Sequence, residues 1–466
     1  MSPRRPAPTG RQVLVMSRYD IRHPHAGDAE RYLYEITRHW VAAGTEVTWV
    51  TPGAPDAPTA QTLDGIRLYR AGPLGTVARL ARDGGRFDVV LDATGGSTDG
   101  LPRGAGRSVP VIEVLHRVPR QPAGRLGRFL AGRRSRTERA RVALSPSARH
   151  DLRRRHRLQG PIFVVPPGTP APTRAGGERA AVPTIVVDVD LVAEERVDLL
   201  LGALPAVAAA LPGLRVEILG TGPDRDRLRR LTGDARLAGT VTLHGRATDD
   251  DRDRWWRRAW LTVSTADGGG CGSRLLTAAA YGVPSVVLAT SGARDFVRAG
   301  RTGQVAESCD QLPATLTGYL TDLRDEEVAD RAAETCRSWA GRFTWERSAA
   351  LLAGVVEHEI RVAGSDLARR RSARSDIATL VRLPEGGSVP AGSLRPTDEV
   401  VAADGQVSVL LNGCDEVDAV GVLARLGITG ARLRLAGHDD LLAGPHPLPP
   451  ALAGPSHRRP LAYDRG

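Results

Sequence analysis

No lysine occurs anywhere in this 466-residue chain. Its 64 cationic side chains are therefore all arginine, set against 53 acidic ones, for a formal net charge of +11. An arginine-only set fits two readings: the codon bias of a GC-rich genome, or an anionic partner such as a membrane surface or an acidic substrate. Cysteine is scarce as well. Cys271, Cys309, Cys336 and Cys414 are scattered, with no CxxC or metal-ligand spacing. That pattern argues against a disulfide framework or a zinc site and for a reducing compartment. The opening MSPRRPAPTGR has no apolar core behind it, so no secretory leader is visible. No apolar run reaches the roughly 18 to 20 residues that span a bilayer. These absences predict a cytoplasmic protein without a metal.

What is present reads as globular. Hydrophobic residues at 41% and charged residues at 25% suit a soluble chain with ordinary cores. The length predicts two or three domains.

The most informative stretch runs from Ser264 to Ala299. A short strand, Trp260 to Ser264, enters a glycine-rich loop (Gly268, Gly269, Gly270, Gly272). An apolar helix of about two turns follows, Gly282-Val-Pro284 stops it, and Ser285 begins another strand. Strand, glycine loop and helix N-terminus together can bind phosphate, because unpaired N–H groups and the positive helix end face the loop. A plain tight turn would read the same way.

Strand candidates alternate with helices along the chain. They include 12–16, 46–50, 66–69, 89–91, 109–115, 142–144 and 162–165, then 185–187, 214–220 and 241–245. Between the first two, Ala29, Leu33, Ile36 and Trp40 share one helical face. Alternation of this kind predicts parallel sheets with right-handed crossovers. The Pro/Gly/Ala run at 170–180 separates two such units, with domains predicted at 12–169 and 181–345 after a basic tail at 1–11. Past an arginine run at 369–371, residues 396–440 read as a small βαβ module. Residues 441–466, rich in Pro, Gly and Ala, read as disordered. Arginines crowd residues 117–157, either as a solvated face or as a basic amphipathic surface for an anionic acceptor or membrane.

Several phrases resemble family-4 glycosyltransferases, the retaining nucleotide-sugar enzymes of GT-B fold. Gly270-Cys-Gly272 and Ala278-Ala-Ala280-Tyr-Gly282-Val-Pro284 lie on the family's donor-site frame. Gly27-Asp28-Ala29-Glu30, Gly44-Thr-Glu-Val-Thr48, Ser145-Pro-Ser147, Ile218-Leu-Gly-Thr-Gly-Pro223 and Phe343-Thr-Trp-Glu346 fit other family positions. The resemblance spans about residues 11 to 360. It implies two Rossmann-like domains facing across a cleft, with residues 346–363 crossing back to the first as a helix. It also implies a nucleotide-sugar donor, a glycan or small-molecule acceptor, no nucleic acid, and His116 near the acceptor.

The donor pocket departs from that pattern. The two family glutamates fall on Gly269 and Thr277. The family's Arg and Lys, which neutralise the donor diphosphate, fall on Asp190 and Glu195. Asp28 stands where the family has a glycine against the phosphates. Arg274, in the first turn of the loop's helix, could supply a displaced positive charge, and Asp295 stands where the family has a later Glu. The expectation is a family protein with an eroded donor site, weakly active or an auxiliary subunit in glycan or glycosylated-metabolite assembly, with a partner enzyme and peripheral contact with the inner membrane face. The alternative is an active transferase with an altered donor mode.

Overall fold

The computed structural model describes residues 10–53, 57–70, 87–94, 109–116, 139–156, 158, 160–169, 179–233, 237, 239–266, 272–363 and 377–445. Gly268, Gly269, Gly270, Cys271, most of the arginine-dense stretch (117–138), the linker at 170–178, the arginine run at 369–371 and both ends of the chain lie outside them.

The described residues of the first domain form one eight-stranded sheet. Its strands are β1 (Gln12–Ser17), β2 (Glu46–Thr51), β3 (Ala60–Leu63), β4 (Ile66–Arg70), β5 (Val89–Ala93), β6 (Val111–Leu115), β7 (Ala140–Ala143) and β8 (Ile162–Val164), in the order β3-β4-β2-β1-β5-β6-β7-β8. Only the edge strand β3 runs antiparallel to its neighbour. Alternate residues of β1 and β2 serve opposite faces, as the two-residue period of a strand requires. Val13, Val15, Val47 and Trp49 pack with Leu33, Ile36 and Trp40 of α1 (Asp28–Ala42), while Leu14, Met16 and Val50 form a separate cluster on the other side. Asp28 and Glu30 in the first turn of α1 suit the positive end of its dipole, and Gly44 beyond its end takes φ +91°. α2 (Pro146–Arg154) starts on Ser145, whose hydroxyl accepts from the Ala148 N–H.

The second domain carries β9 (Thr184–Asp188), β10 (Arg215–Leu219) and β11 (Val241–Gly245) in one parallel run, and β12 (Thr262–Ser264), β13 (Ser285–Leu288) and β14 (Gly303–Ala306) in another. A parallel bridge between Ile185 and Leu261 joins the runs into one layer. Helices α3 (Val197–Ala210), α4 (Arg225–Thr232), α5 (Asp249–Arg258), α6 (Ser273–Ala280), α7 (Leu312–Asp322) and α8 (Glu326–Ala340) complete it. α9 (Trp345–Ala363) then returns to the first domain. There Trp345, Leu352 and Val356 share a core with Ile36 and Trp40, and the Trp40 indole donates to the Ala349 carbonyl at 2.9 Å.

The C-terminal module is larger than the sequence suggests. It holds β15 (Ala378–Arg382), β16 (Glu399–Ala403), β17 (Gln406–Asn412), α10 (Glu416–Arg425), β18 (Arg432–Leu435) and α11 (His438–Ala443), with sheet order β16-β17-β15-β18. The anticipated βαβ is split, because β15 inserts antiparallel between β17 and β18. The module therefore begins at Ala378 rather than 396. Nor is the chain irregular from 441: Leu442 and Ala443 close α11 and are buried among residues of the second domain. No described helix is long and apolar enough to cross a membrane.

Candidate functional site

A cleft of about 400 Å³ lies where the C-terminal ends of both parallel sheets face each other. This is where an open α/β sheet presents its loops to a ligand. From the first domain it receives Gly27 and Asp28 at the start of α1 and His116 just beyond β6. From the second it receives Asp188 and Asp190 after β9, then Glu195, and Gly272 and Arg274 at the start of α6. Seven of the sequence candidates thus meet in one cavity: Gly27, Asp28, His116, Asp190, Glu195, Gly272 and Arg274.

Arg274 is the centre of the cluster. Its guanidinium donates to Asp190 at 2.9 Å and to Asp28 at 3.2 Å, and stands 3.7 Å from Asp188. Burial works to lower its pKa, but Asp28, Asp188 and Asp190 together hold it well above the ordinary arginine value. Asp188 has a second partner in Arg252, at 2.9 Å. Neither Asp188 nor Arg252 belongs to a motif, so spacing gave no signal for them.

Asp190 reaches this point because of the preserved glycine phrase beside it. Val189 and Leu191 donate their N–H groups to Leu219 and Thr221, both at 2.9 Å. A Cβ at Gly220 would fall 1.8 Å from the Val189 carbonyl oxygen, and one at Gly222 would fall 2.2 Å from that of Leu191. No side chain fits, so glycine is required at both positions. Asp190 then lies against the first turn of α1: a Cβ on Gly27 would sit 3.5 Å from its Oδ2. A carboxylate of the chain itself occupies the positive end of the helix, where an anionic ligand would otherwise be favoured.

Glu30 adds to the acidity. Its carboxylate accepts from the Gly27 N–H at 2.9 Å. Burial first, with Asp28 and Asp190 adding to it, raises its pKa against that hydrogen bond.

His116 packs edge-on to Tyr32, with ring centroids 5.1 Å apart. Among the described residues, neither ring nitrogen has a hydrogen-bond partner. Burial lowers its pKa to about 4, with Asp28 pulling the other way, so the ring is neutral near pH 7.

Gly272 has a packing reason to be glycine. It takes φ +66°, and a Cβ there would meet Phe296 at 2.0 Å. Two candidates lie elsewhere. The Thr277 hydroxyl donates to the Ser273 carbonyl of its own helix at 2.9 Å and does not line the cavity. Asp295 binds Ser147 and His438, away from the cavity wall. Gly269 and Gly270 fall outside the described residues. Among the described residues, no group of three or more His, Cys, Asp or Glu could hold a metal ion.

Comparisons with known proteins agree with this architecture. Residues 29–171 match the model described as Glycosyltransferase Family 4, and residues 183–323 match Glycosyl transferases group 1. A GDP-mannose-dependent alpha-(1-6)-phosphatidylinositol monomannoside mannosyltransferase of Mycobacterium tuberculosis is 31% identical over 234 residues, 48% of this chain and 53% of that protein. The D-inositol 3-phosphate glycosyltransferase of Thermobispora bispora is 29% identical over 215 residues, 42% of this chain and 50% of its own. The chain thus spans about half the length of these curated relatives. Among solved structures, a sucrose-phosphate synthase from Thermosynechococcus elongatus superposes with a TM-score of 0.63 at 17% identity, over 76% of this chain and 100% of that one. WaaG, a glycosyltransferase involved in lipopolysaccharide biosynthesis, gives 0.58 at 16%, over 74% and 99%. At such identities the likeness speaks for the fold, which is GT-B. One family match falls in each α/β domain, and each domain is therefore similar to the glycosyltransferase domains that these two models describe.

Proposed function

We propose that this is a GT-B glycosyltransferase-family protein whose diphosphate pocket is filled from within, leaving little or no transfer from a nucleotide-sugar. Its role on this reading is auxiliary, as a scaffold or partner subunit in glycan or glycosylated-metabolite assembly. The observation that carries the reading is the Arg274 cluster. The cationic side chain near the start of α6 is already met by three aspartates, and one of them, Asp190, lies at the N-terminus of α1. A diphosphate would have to displace carboxylates from Arg274 and then remain beside them. Like charges about 4 Å apart cost on the order of 4 kcal/mol each at an effective dielectric near 20, before screening.

A second reading keeps the family reaction, with Arg274 turning onto the phosphates and His116 facing the acceptor. It is favoured by the cavity itself, which persists at about 400 Å³ with a neutral imidazole on its wall. Calorimetric titration with UDP, GDP and a panel of nucleotide-sugars separates the two. Millimolar or weaker binding throughout supports the filled pocket. Micromolar binding that Arg274→Ala abolishes, together with turnover of any donor, supports the working site.

A further inference from the structure

The two α/β domains and the C-terminal module meet on one carboxylate. Asp295 lies in a 3-10 turn, Gly292–Phe296, of the second domain and is 7% exposed. It accepts from the backbone N–H of Ser147 at 2.8 Å and from its hydroxyl at 2.5 Å, both in the first turn of α2 in the first domain. It also lies 3.1 Å from Nε2 of His438, the first residue of α11 in the module. The seat around this point is built rather than incidental. Arg298 donates to Asp439 at 2.5 Å, while Arg342 and Arg347 donate to the carbonyls of Gly444 and Leu442 at 2.7 and 3.0 Å. Arg347 also holds Glu399 of β16 at 3.0 Å. Leu442 and Ala443 are buried with Leu276, Phe296, Trp339 and Phe343, and Leu276 belongs to α6, the helix that carries Arg274.

We propose that the C-terminal module is a strap that holds the two α/β domains closed on the cleft, with the His438–Asp295–Ser147 contact as its catch. Ser147 and Asp295 approach from opposite domains, so any opening at this seam must break their bonds. His438 braces Asp295 from the third side. This reading is independent of whether the cleft transfers sugar.

The catch is sensitive to pH. The charged groups facing His438 are Asp295 and Arg294 from the turn and Asp439 beside it on α11; Ser147 from α2 is uncharged. Arg298 is taken up by Asp439, and Arg342 and Arg347 serve the far end of α11. Burial favours the neutral imidazole, but Asp295 outweighs it and the net shift is upward from 6.5. Burial opposes ionisation of Asp295 in turn, yet His438 and Ser147 hold it below 3.8. The His438 contribution is therefore complete below the ordinary histidine value and is lost as pH rises through the raised one. On the acid side it is lost as pH falls through the lowered Asp295 value.

Hydrogen exchange on the full-length chain tests the strap, at about pH 6 and about pH 8.5, corrected for intrinsic rates. In the native chain, protection across residues 145–152 should fall severalfold between the two, as the charged His438–Asp295 contact is lost. His438→Gln should show the lower level at both pH values, and His438→Arg, which keeps the charge, should restore the higher level at pH 8.5. Unchanged protection in β1 and β2 reports an intact fold. Equal protection in native and His438→Gln chains overturns the proposal. So does a loss confined to residues 377–445, since the module would then be docked without holding anything. Should His438→Gln fail to fold, a flat pH profile at Ser147 in the native chain overturns it equally.

Discussion

Replacing Asp190 by asparagine should tighten the binding of bare nucleoside diphosphates. Asp190 donates no useful contact to such a ligand; it occupies Arg274 at 2.9 Å and lies against the first turn of α1. A phosphate entering there would stand about 4 Å from the carboxylate, for a repulsion of about 4 kcal/mol at an effective dielectric near 20. The Asp190 side chain is 40% exposed, so solvent reduces the effective penalty to roughly 1 kcal/mol. At about 1.4 kcal/mol per tenfold in affinity, Asp190→Asn should strengthen UDP and GDP binding about fivefold. Asp190→Arg with Glu195→Lys replaces two repulsions by two attractions of roughly 1 kcal/mol each, about 4 kcal/mol in all, and the expected gain approaches about a thousandfold. Calorimetry at low and high salt is the assay, and the gain should shrink with added salt. Adding Arg274→Ala to Asp190→Asn should cancel the gain, because Arg274 is the cation that Asp190→Asn releases. Unaltered affinity in both the single and the double variant would refute the reasoning. Tight binding by the native chain would refute it as well.

The remaining predictions concern stability and reactivity. Arg274→Ala leaves Asp28, Asp188 and Asp190 facing each other without their shared cation; the expected cost is about 3 kcal/mol, read as a fall in Tm, and smaller in an Asp190→Asn background. The Arg70–Asp20 pair, at 2.7 Å and almost fully buried, pins the loop between β1 and α1. Arg70→Met should cost about 3 to 5 kcal/mol in chemical denaturation. Burial works to raise Asp20, but Arg70 and the Arg22 N–H keep it below 3.8; its contribution is present above that value and lost as pH falls through the lowered one, so acid titration of native and Arg70→Met chains should converge. Cys336 is buried, its thiol pushed up to about 12, whereas Cys309 is exposed. A maleimide should label Cys309 in the native chain and reach Cys336 only on unfolding, as peptide mass mapping would show.

Much of the fold was legible because buried parallel strands leave a plain trace. The apolar runs at 12–16, 89–91 and 185–187 became β1, β5 and β9, and the 29/33/36/40 spacing became α1. β15 and β16 were not legible: Ala378–Arg382 is short and borders an arginine-rich stretch, and its burial comes from antiparallel neighbours far along the chain. At the site, family phrases pointed to Asp28, Asp190 and Arg274 but gave no sign that they bind one another. That association depends on domain closure, which no local pattern encodes. Asp295 marks the same limit, since its partners Ser147 and His438 lie in two other parts of the chain.

The return of α9 to the first domain bears on how the polypeptide acquires its shape during synthesis. Trp40 needs the carbonyl of Ala349, and its core is completed by Leu352 and Val356, yet the whole second domain is translated in between. At 5 to 20 residues per second, the delay is on the order of 15 to 60 s. For that time the nascent first domain exposes an apolar groove on α1 that its own C-terminal helix will later fill. The second domain contains its own core and can fold as it emerges. The first domain, although made first, is completed only after the second has been synthesised.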